Sequence, residues 1–122
     1  MITSLQVSKK LRLLGYSKPV YFYWTLKKCV YARPRYKIEK FCVKHNWNDS
    51  DYCFSAPDVR DVWYWLSGLG YSYKIYSETE YILLRNNVQF YRGRREYDGG
   101  DNVMLGKLLD LIIKEKWITE KF

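Results

Sequence analysis

A chain of 122 residues fits one domain, because a single core of this size removes roughly two thirds of the unfolded chain's surface from water. Its 48% hydrophobic content, with 13 Tyr, 5 Trp and 5 Phe, excludes a disordered basic tail, which lacks the apolar area to offset chain entropy. The net charge of +8 is unevenly spread: residues 1–44 hold 11 of the 21 Lys and Arg and one acid, Glu39, whereas residues 45–122 hold 10 basic and 12 acidic side chains. A local field of this kind attracts polyanions and releases their counterions on contact, so nucleic acid or a nucleoprotein is the first partner class to consider.

In chain order, Thr3–Leu14 reads as a helix with Thr3 or Ser4 as N-cap, Val7, Leu11 and Leu14 on one stripe and Gly15 as the stop. Lys9, Lys10 and Arg12 occupy its other face. Strands follow at Val20–Leu26 and, with weaker signals, at Tyr36–Lys44 and Tyr52–Phe54. The run Ser55-Ala56-Pro57-Asp58 opens a second helix, with the Ser55 hydroxyl as cap, Pro57 where its missing donor costs nothing and Asp58 closing a box-like pair. Val59, Val62, Trp63, Leu66 and Leu69 form its stripe. Ser72–Tyr76, Tyr81–Arg85 and Val88–Tyr91 are strand-like, and Asn86-Asn87 suits a tight hairpin turn because Asn tolerates positive φ. A third helix after Gly99-Gly100-Asp101 turns Leu105, Leu108, Leu109 and Ile112 inward and places Lys114 and Lys116 near its C-terminal dipole, with Trp117, Ile118 and Phe122 beyond. The fold class is α+β: three helices packed on a mostly antiparallel sheet in a single domain, residues 1–122.

The longest apolar run, near Leu108–Ile113, is far shorter than the roughly 20 residues of a membrane span. The opening Met-Ile-Thr-Ser-Leu-Gln lacks the basic start and apolar stretch of a signal peptide, so a cytoplasmic location is expected. Three cysteines, Cys29, Cys42 and Cys53, are an odd number, which favours thiols packed as small buried hydrophobes over a disulfide framework.

An internal echo aligns Leu11–Tyr21 with Leu66–Tyr76 at a constant offset of 55, with six identities and Val20 matched by Ile75. Two copies of a helix, glycine stop and strand unit would produce it; so would any two helices ending in Gly before a Tyr-rich strand. The order Leu14-Gly15-Tyr16, a Tyr-rich strand, Phe54-Ser55-Ala56-Pro57, Trp65-Leu66 and Gly70-Tyr71 resembles a group of small proteins encoded by phages and prophages of gut-type bacteria. The likeness spans most of the chain. Those relatives have no assigned activity, so the resemblance implies an α+β fold and a mobile-element setting, and carries over no site residue. Residues 27–48 stand out as an insertion between the first strand and the Phe54-Ser55-Ala56-Pro57 element.

The insertion carries the densest positive charge: Lys27, Lys28, Arg33, Arg35, Lys37, Lys40 and Lys44, interleaved with Tyr31, Tyr36 and Phe41. Cations neutralise phosphates while exposed rings stack on unpaired bases at about 1–3 kcal/mol each. The alternative is a solvated basic hairpin whose aromatics face the sheet, since alternation alone produces that pattern. Arg92, Arg94 and Arg95 form a second cluster, with Gly93 between them, suited to bidentate contact with phosphate or carboxylate; the bland reading is an exposed loop partly neutralised by Glu96 and Asp98.

Cys42, His45 and Cys53, with Cys29 upstream, match no common zinc spacing, and His45 is the single histidine, so no metal is expected. No nucleophile elbow, phosphate-binding glycine loop or second histidine is present, so neither catalytic residues nor a cofactor are expected. The sequence therefore reads as a non-enzymatic basic binding protein engaging RNA, DNA or a nucleoprotein. A host defence complex such as an RNA-guided nuclease is one such partner, because a cationic surface fits the channel meant for nucleic acid. The competing readings are a protein–protein module built on exposed Tyr and Trp, and a small enzyme without a recognisable motif.

Overall fold

Each of the first two helices ends at a glycine and hands the chain to a three-stranded antiparallel sheet. The computed structural model describes residues 1–28, 30–94 and 100–115. Helix α1 (Leu5–Leu13) is capped by Ser4, whose hydroxyl accepts from the Val7 N–H at 3.2 Å. It is followed by β1 (Val20–Lys27), β2 (Arg35–His45), a 3-10 turn at Trp47–Asp49 and β3 (Cys53–Ser55), paired in the order β2-β1-β3. Helix α2 (Val59–Gly68) precedes β4 (Tyr71–Ile75), β5 (Glu80–Arg85) and β6 (Val88–Arg94), in the order β4-β5-β6. Helix α3 (Gly100–Glu115) completes the described chain. The class is α+β, and every strand pairing among the described residues is antiparallel. The strands form two separate sheets rather than one.

The glycine stops are stereochemically necessary. Leu14 and Leu69 have near-identical cap conformations (φ −87°, ψ 2° and φ −95°, ψ 2°), and Gly15 and Gly70 follow at φ +80° and +93°. At the end of α1 the Gly15 N–H reaches the Arg12 carbonyl and the Tyr16 N–H that of Leu11, a Schellman closure. A Cβ at Gly70 would also meet the Asn86 side-chain oxygen at 2.3 Å. The sequence echo is thus a repeated helix ending that sends Tyr16 and Tyr71 into the core. It stops at the sheets, since β1 is a central strand and β4 an edge. The Asn86-Asn87 turn has both residues at positive φ, 51° and 65°, as a two-residue hairpin requires.

The core is built from Val7 and Leu11 of α1, Val62 and Leu66 of α2, Leu105, Leu108, Leu109 and Ile112 of α3, and Tyr81 and Leu83 of β5. Helix α1 packs on α3 and β3, and α2 packs on α3 and β4, so α3 joins the two halves. Trp63 and Leu69, expected inside, are half-buried against this cluster.

One cap differs from expectation. Ser55 ends β3, where its N–H is bound by the Asn48 side chain at 2.9 Å and it pairs with Tyr23, so it cannot also start a helix. Its buried hydroxyl has no hydrogen-bond partner among the described residues. Asp58 is the cap of α2, its carboxylate accepting from the Arg60 N–H at 2.8 Å. That bond, then the Met1 amine, holds the Asp58 carboxyl below the usual range. Lys116, Trp117, Ile118 and Phe122 lie outside the described residues. Among the described residues no helix is long and apolar enough to cross a membrane.

Leu66 and Leu108 are fully buried, so replacing either by Ala is expected to cost about 2–5 kcal/mol in a denaturant titration. Burial, and secondarily the negative charge of Asp61, push the Tyr16 phenol up to about 12. In the unfolded chain that phenol ionises near about pH 10, so its contribution to stability is intact below that pH and is lost as pH rises toward the folded value. Tyr16→Phe should accordingly flatten the fall in stability between about pH 10 and pH 12, measured by denaturant titration at each pH.

Candidate nucleic-acid interface

Strand β1 is sandwiched between two neighbours only at Tyr23–Thr25, which pair with β3 on one side and with β2 on the other. Beyond Thr25 the sheet narrows to a two-stranded ribbon, closed by Leu26↔Tyr36 and Lys27↔Arg35 and tipped by the segment that carries Lys28, Tyr31 and Arg33. Strand β2 is the free edge, and of its residues only Tyr36 and Glu39 are less than exposed.

Direct cross-strand partners share a face, so the register assigns the cations. Lys27, Arg35, Lys37 and Glu39 stand on one face with Tyr23 and Thr25; Tyr36, Ile38 and Lys40 stand on the other with Leu26, Trp24 and Phe22. Helix α1 supports the second face: the Lys9 ammonium sits 5.1 Å from the Tyr36 ring centre and 5.8 Å from that of Phe54, and the Trp24 indole N–H donates to the Thr3 carbonyl at 3.1 Å. Lys40 covers Phe22 at 5.6 Å.

At its base the ribbon is irregular, since Val20↔His45 is followed by Phe22↔Lys40 and three extra residues of β2 bulge outward. Trp47 fills this break. Its ring stacks on Tyr23 at 3.9 Å, meets Phe41 and His45 edge-on at 5.7 and 5.0 Å, and its N–H donates to the Val20 carbonyl at 2.9 Å. Lys44, on the bulge, lies 5.4 Å from the Tyr21 ring.

Ion pairing separates the basic residues into two groups. Lys10 bridges to Asp110 of α3 at 3.0 Å, and Arg12 donates to the Cys53 carbonyl at 3.0 Å and lies 3.6 Å from Asp51, so these two tie α1 to its neighbours. Lys27 pairs with Glu39 at 3.1 Å. Lys28, Arg33, Arg35, Lys37, Lys40 and Lys44 are exposed and have no carboxylate partner among the described residues. The expected stacking rings are less uniform: Tyr31 is 99% exposed, Tyr36 packs on Phe54 beneath Lys9, and Phe41 leans on Trp47.

The second basic cluster belongs to the other sheet. Arg92 and Arg94 share an exposed face of β6, but Arg92 is bound to Glu80 and lies over Tyr76 at 4.6 Å. Gly93 between them faces inward, where a Cβ would strike the Tyr81 ring at 2.6 Å, so packing alone requires a glycine there. Arg95 lies outside the described residues.

Cys42 is exposed on the β2 bulge and Cys53 half-buried on β3, which corrects the expectation of buried thiols: a free edge strand has no layer to cover it. Cys29 lies outside the described residues, and among those described no three His, Cys, Asp or Glu side chains form a metal-holding group.

Two features escaped the sequence reading. One is Trp47, which no periodicity singles out because it sits in a 3-10 turn. The other is a shallow groove of about 340 Å³ between α2 and β4, lined by Arg60, Trp63, Tyr64 and Tyr73, with Tyr64 82% exposed. Compared with protein families, curated proteins and solved structures, the chain has no match.

Removing the plug should loosen the bulge without melting the core. Trp47→Ala is expected to cost on the order of 2–3 kcal/mol, with amide hydrogen exchange accelerating at Phe41–His45 while amides of α3 keep their protection relative to the global stability.

Proposed function

We propose that this protein is a non-enzymatic binder of nucleic acid or of a nucleoprotein, acting through the β1–β2 ribbon. The observation that carries the reading is the set of six exposed cations on the ribbon and its free edge with no carboxylate partner among the described residues. Lys10 and Arg12, by contrast, are tied to acids or carbonyls of neighbouring elements, whereas Lys40 and Lys44 meet only the rings of Phe22 and Tyr21. Cations held apart from carboxylates create a positive potential that an external polyanion relieves, with counterion release as the driving term. The resemblance to phage and prophage proteins adds a mobile-element setting, in which a host RNA-guided nuclease is one nucleoprotein whose nucleic-acid channel such a ribbon would suit.

A second reading, a protein–protein module, draws on the groove of Arg60, Trp63, Tyr64 and Tyr73, since Trp, Tyr and Arg dominate binding hot spots. The two readings differ in salt response.

Reversing Arg33, Arg35 and Lys37 to Glu is expected to abolish most binding to DNA or RNA oligonucleotides and to reduce the slope of log K against log salt by about 3, one unit per lost phosphate contact. The melting temperature should hold or rise slightly, because exposed charges contribute little to folding and a Glu at position 35 would face Lys27. A flat salt response of the wild type, or undiminished binding by the reversed variant, would remove nucleic acid from the account and turn attention to the aromatic groove.

A further inference from the structure

We infer that the nucleic acid engaged is B-form duplex DNA, with the ribbon tip seated in the major groove; this rests on the nucleic-acid reading above. Three observations favour a duplex over a single strand. The first is the distribution of charge. Arg35 and Lys37 project from one face of the ribbon, and Lys40, with Lys9 of α1, lies on the other. A single strand lying on one face would leave the cations of the opposite face unmatched. A ribbon entering a groove tip-first has a phosphate rim on each side, so Arg35 and Lys37 face one rim and Lys9, beside Tyr36, faces the other, while Lys40, four rungs back at Phe22, stays outside the mouth.

The second is the state of the aromatic rings. Sequence-tolerant binding of single strands relies on rings whose faces are free to stack on bases. Tyr36 is half-buried against Phe54 with the Lys9 ammonium over its ring, and Phe41 is held edge-on by Trp47. Of the three rings interleaved with the cations, Tyr31 alone stands clear, at the tip. One ring at the end of a ribbon is a poor stacking platform, but it is well placed to touch base edges at the floor of a groove.

The third is size. The major groove of B-DNA is about 12 Å wide and about 8.5 Å deep and admits a two-stranded ribbon. Paired strands stand about 4.8 Å apart and rise about 3.3 Å per residue, so two rungs beyond the third strand plus the tip reach such a depth. The rungs concerned are Leu26↔Tyr36 and Lys27↔Arg35. The major groove of A-form RNA is too narrow and deep for side chains to read, which separates duplex DNA from duplex RNA.

The test uses the whole chain and fluorescence anisotropy with a 20-base-pair DNA duplex, either of its single strands, and an RNA duplex of the same sequence, at one salt concentration. The DNA duplex is expected to bind at least about tenfold more tightly than the other probes, to release methyl green from the major groove, and to bind equally well with netropsin in the minor groove. Arg35→Glu with Lys37→Glu, and separately Lys9→Glu, should each weaken duplex binding severalfold without lowering the melting temperature by more than a few degrees. Lys9→Gln, which keeps an aliphatic stem against the Tyr36 ring, should do so more mildly and guards against a folding artefact. Single strands or duplex RNA binding as tightly as duplex DNA, competition by netropsin instead of methyl green, or sensitivity confined to one face would overturn the groove assignment and leave the nucleic-acid reading standing. Absence of binding to every probe would overturn both.

Discussion

The ribbon depends on how its base is held, because a two-stranded hairpin alone is at best marginally stable in water. Strand β3 covers only three residues of β1, so hydrogen bonding to a third strand ends at Thr25. What remains is side-chain anchorage from both faces. Trp24 reaches back to the Thr3 carbonyl, and Trp47 stacks on Tyr23 while its indole N–H closes on the Val20 carbonyl. Tyr36, Phe54 and the Lys9 and Arg12 cations complete the packing toward α1. A large share of the Tyr and Trp that inflate the composition works here, outside the aliphatic core, joining an exposed arm to a rigid body.

The same arm would be a hazard if it were uncharged. Its outer edge is long, unpaired and dotted with exposed Ile38, Phe41 and Val43, which invites edge-to-edge association with a second copy. Two devices oppose this. The bulge between Lys40 and His45 breaks the regular spacing of edge donors and acceptors. The cations along β2 set like charges against one another in any self-pairing. Part of the positive charge therefore has a structural reason independent of a ligand, and it is the remainder, on the tip, that self-pairing does not explain.

Most of the fold was legible in the residues. The three helices, six strands, Asn86-Asn87 turn and glycine stops follow from periodicity and from positions where only Gly or Asn sits easily. What was not legible depends on contacts distant in sequence. Ser55 and Asp58 are both good caps, and the choice between them is made by Tyr23 and Asn48, which hold Ser55 in a strand. Division into two sheets follows from helix packing on α3 rather than from any strand's own pattern. For the candidate site, the sequence located the cations but could not divide Lys10 and Arg12, which are engaged, from Arg35 and Lys37, which are not; their carboxylate partners sit in other elements. Nor could alternation reveal how much of β2 stays exposed, because that depends on elements distant in sequence that cover only Tyr36 and Glu39.

The charge on the ribbon also works against the ribbon. Lys27 and Arg35 stand directly opposite one another, a like-charged cross-strand pair that opposes the very pairing that forms the arm. Glu39 offsets this by bonding Lys27, and it is the sole acid among the first 44 residues, so the offset is local and incomplete. Lys37 and Arg35, next to each other on the same face, gain no such relief among the described residues. A sequence optimised for stability alone would place acids there, as it does within reach of Lys10 and Arg92. Local rules are broken where a second requirement competes with folding. On the proposed reading that requirement is a polyanion, whose phosphates would supply the missing counter-charge and, by binding only the folded arm, would return through mass action the stability that the unpaired cations withhold.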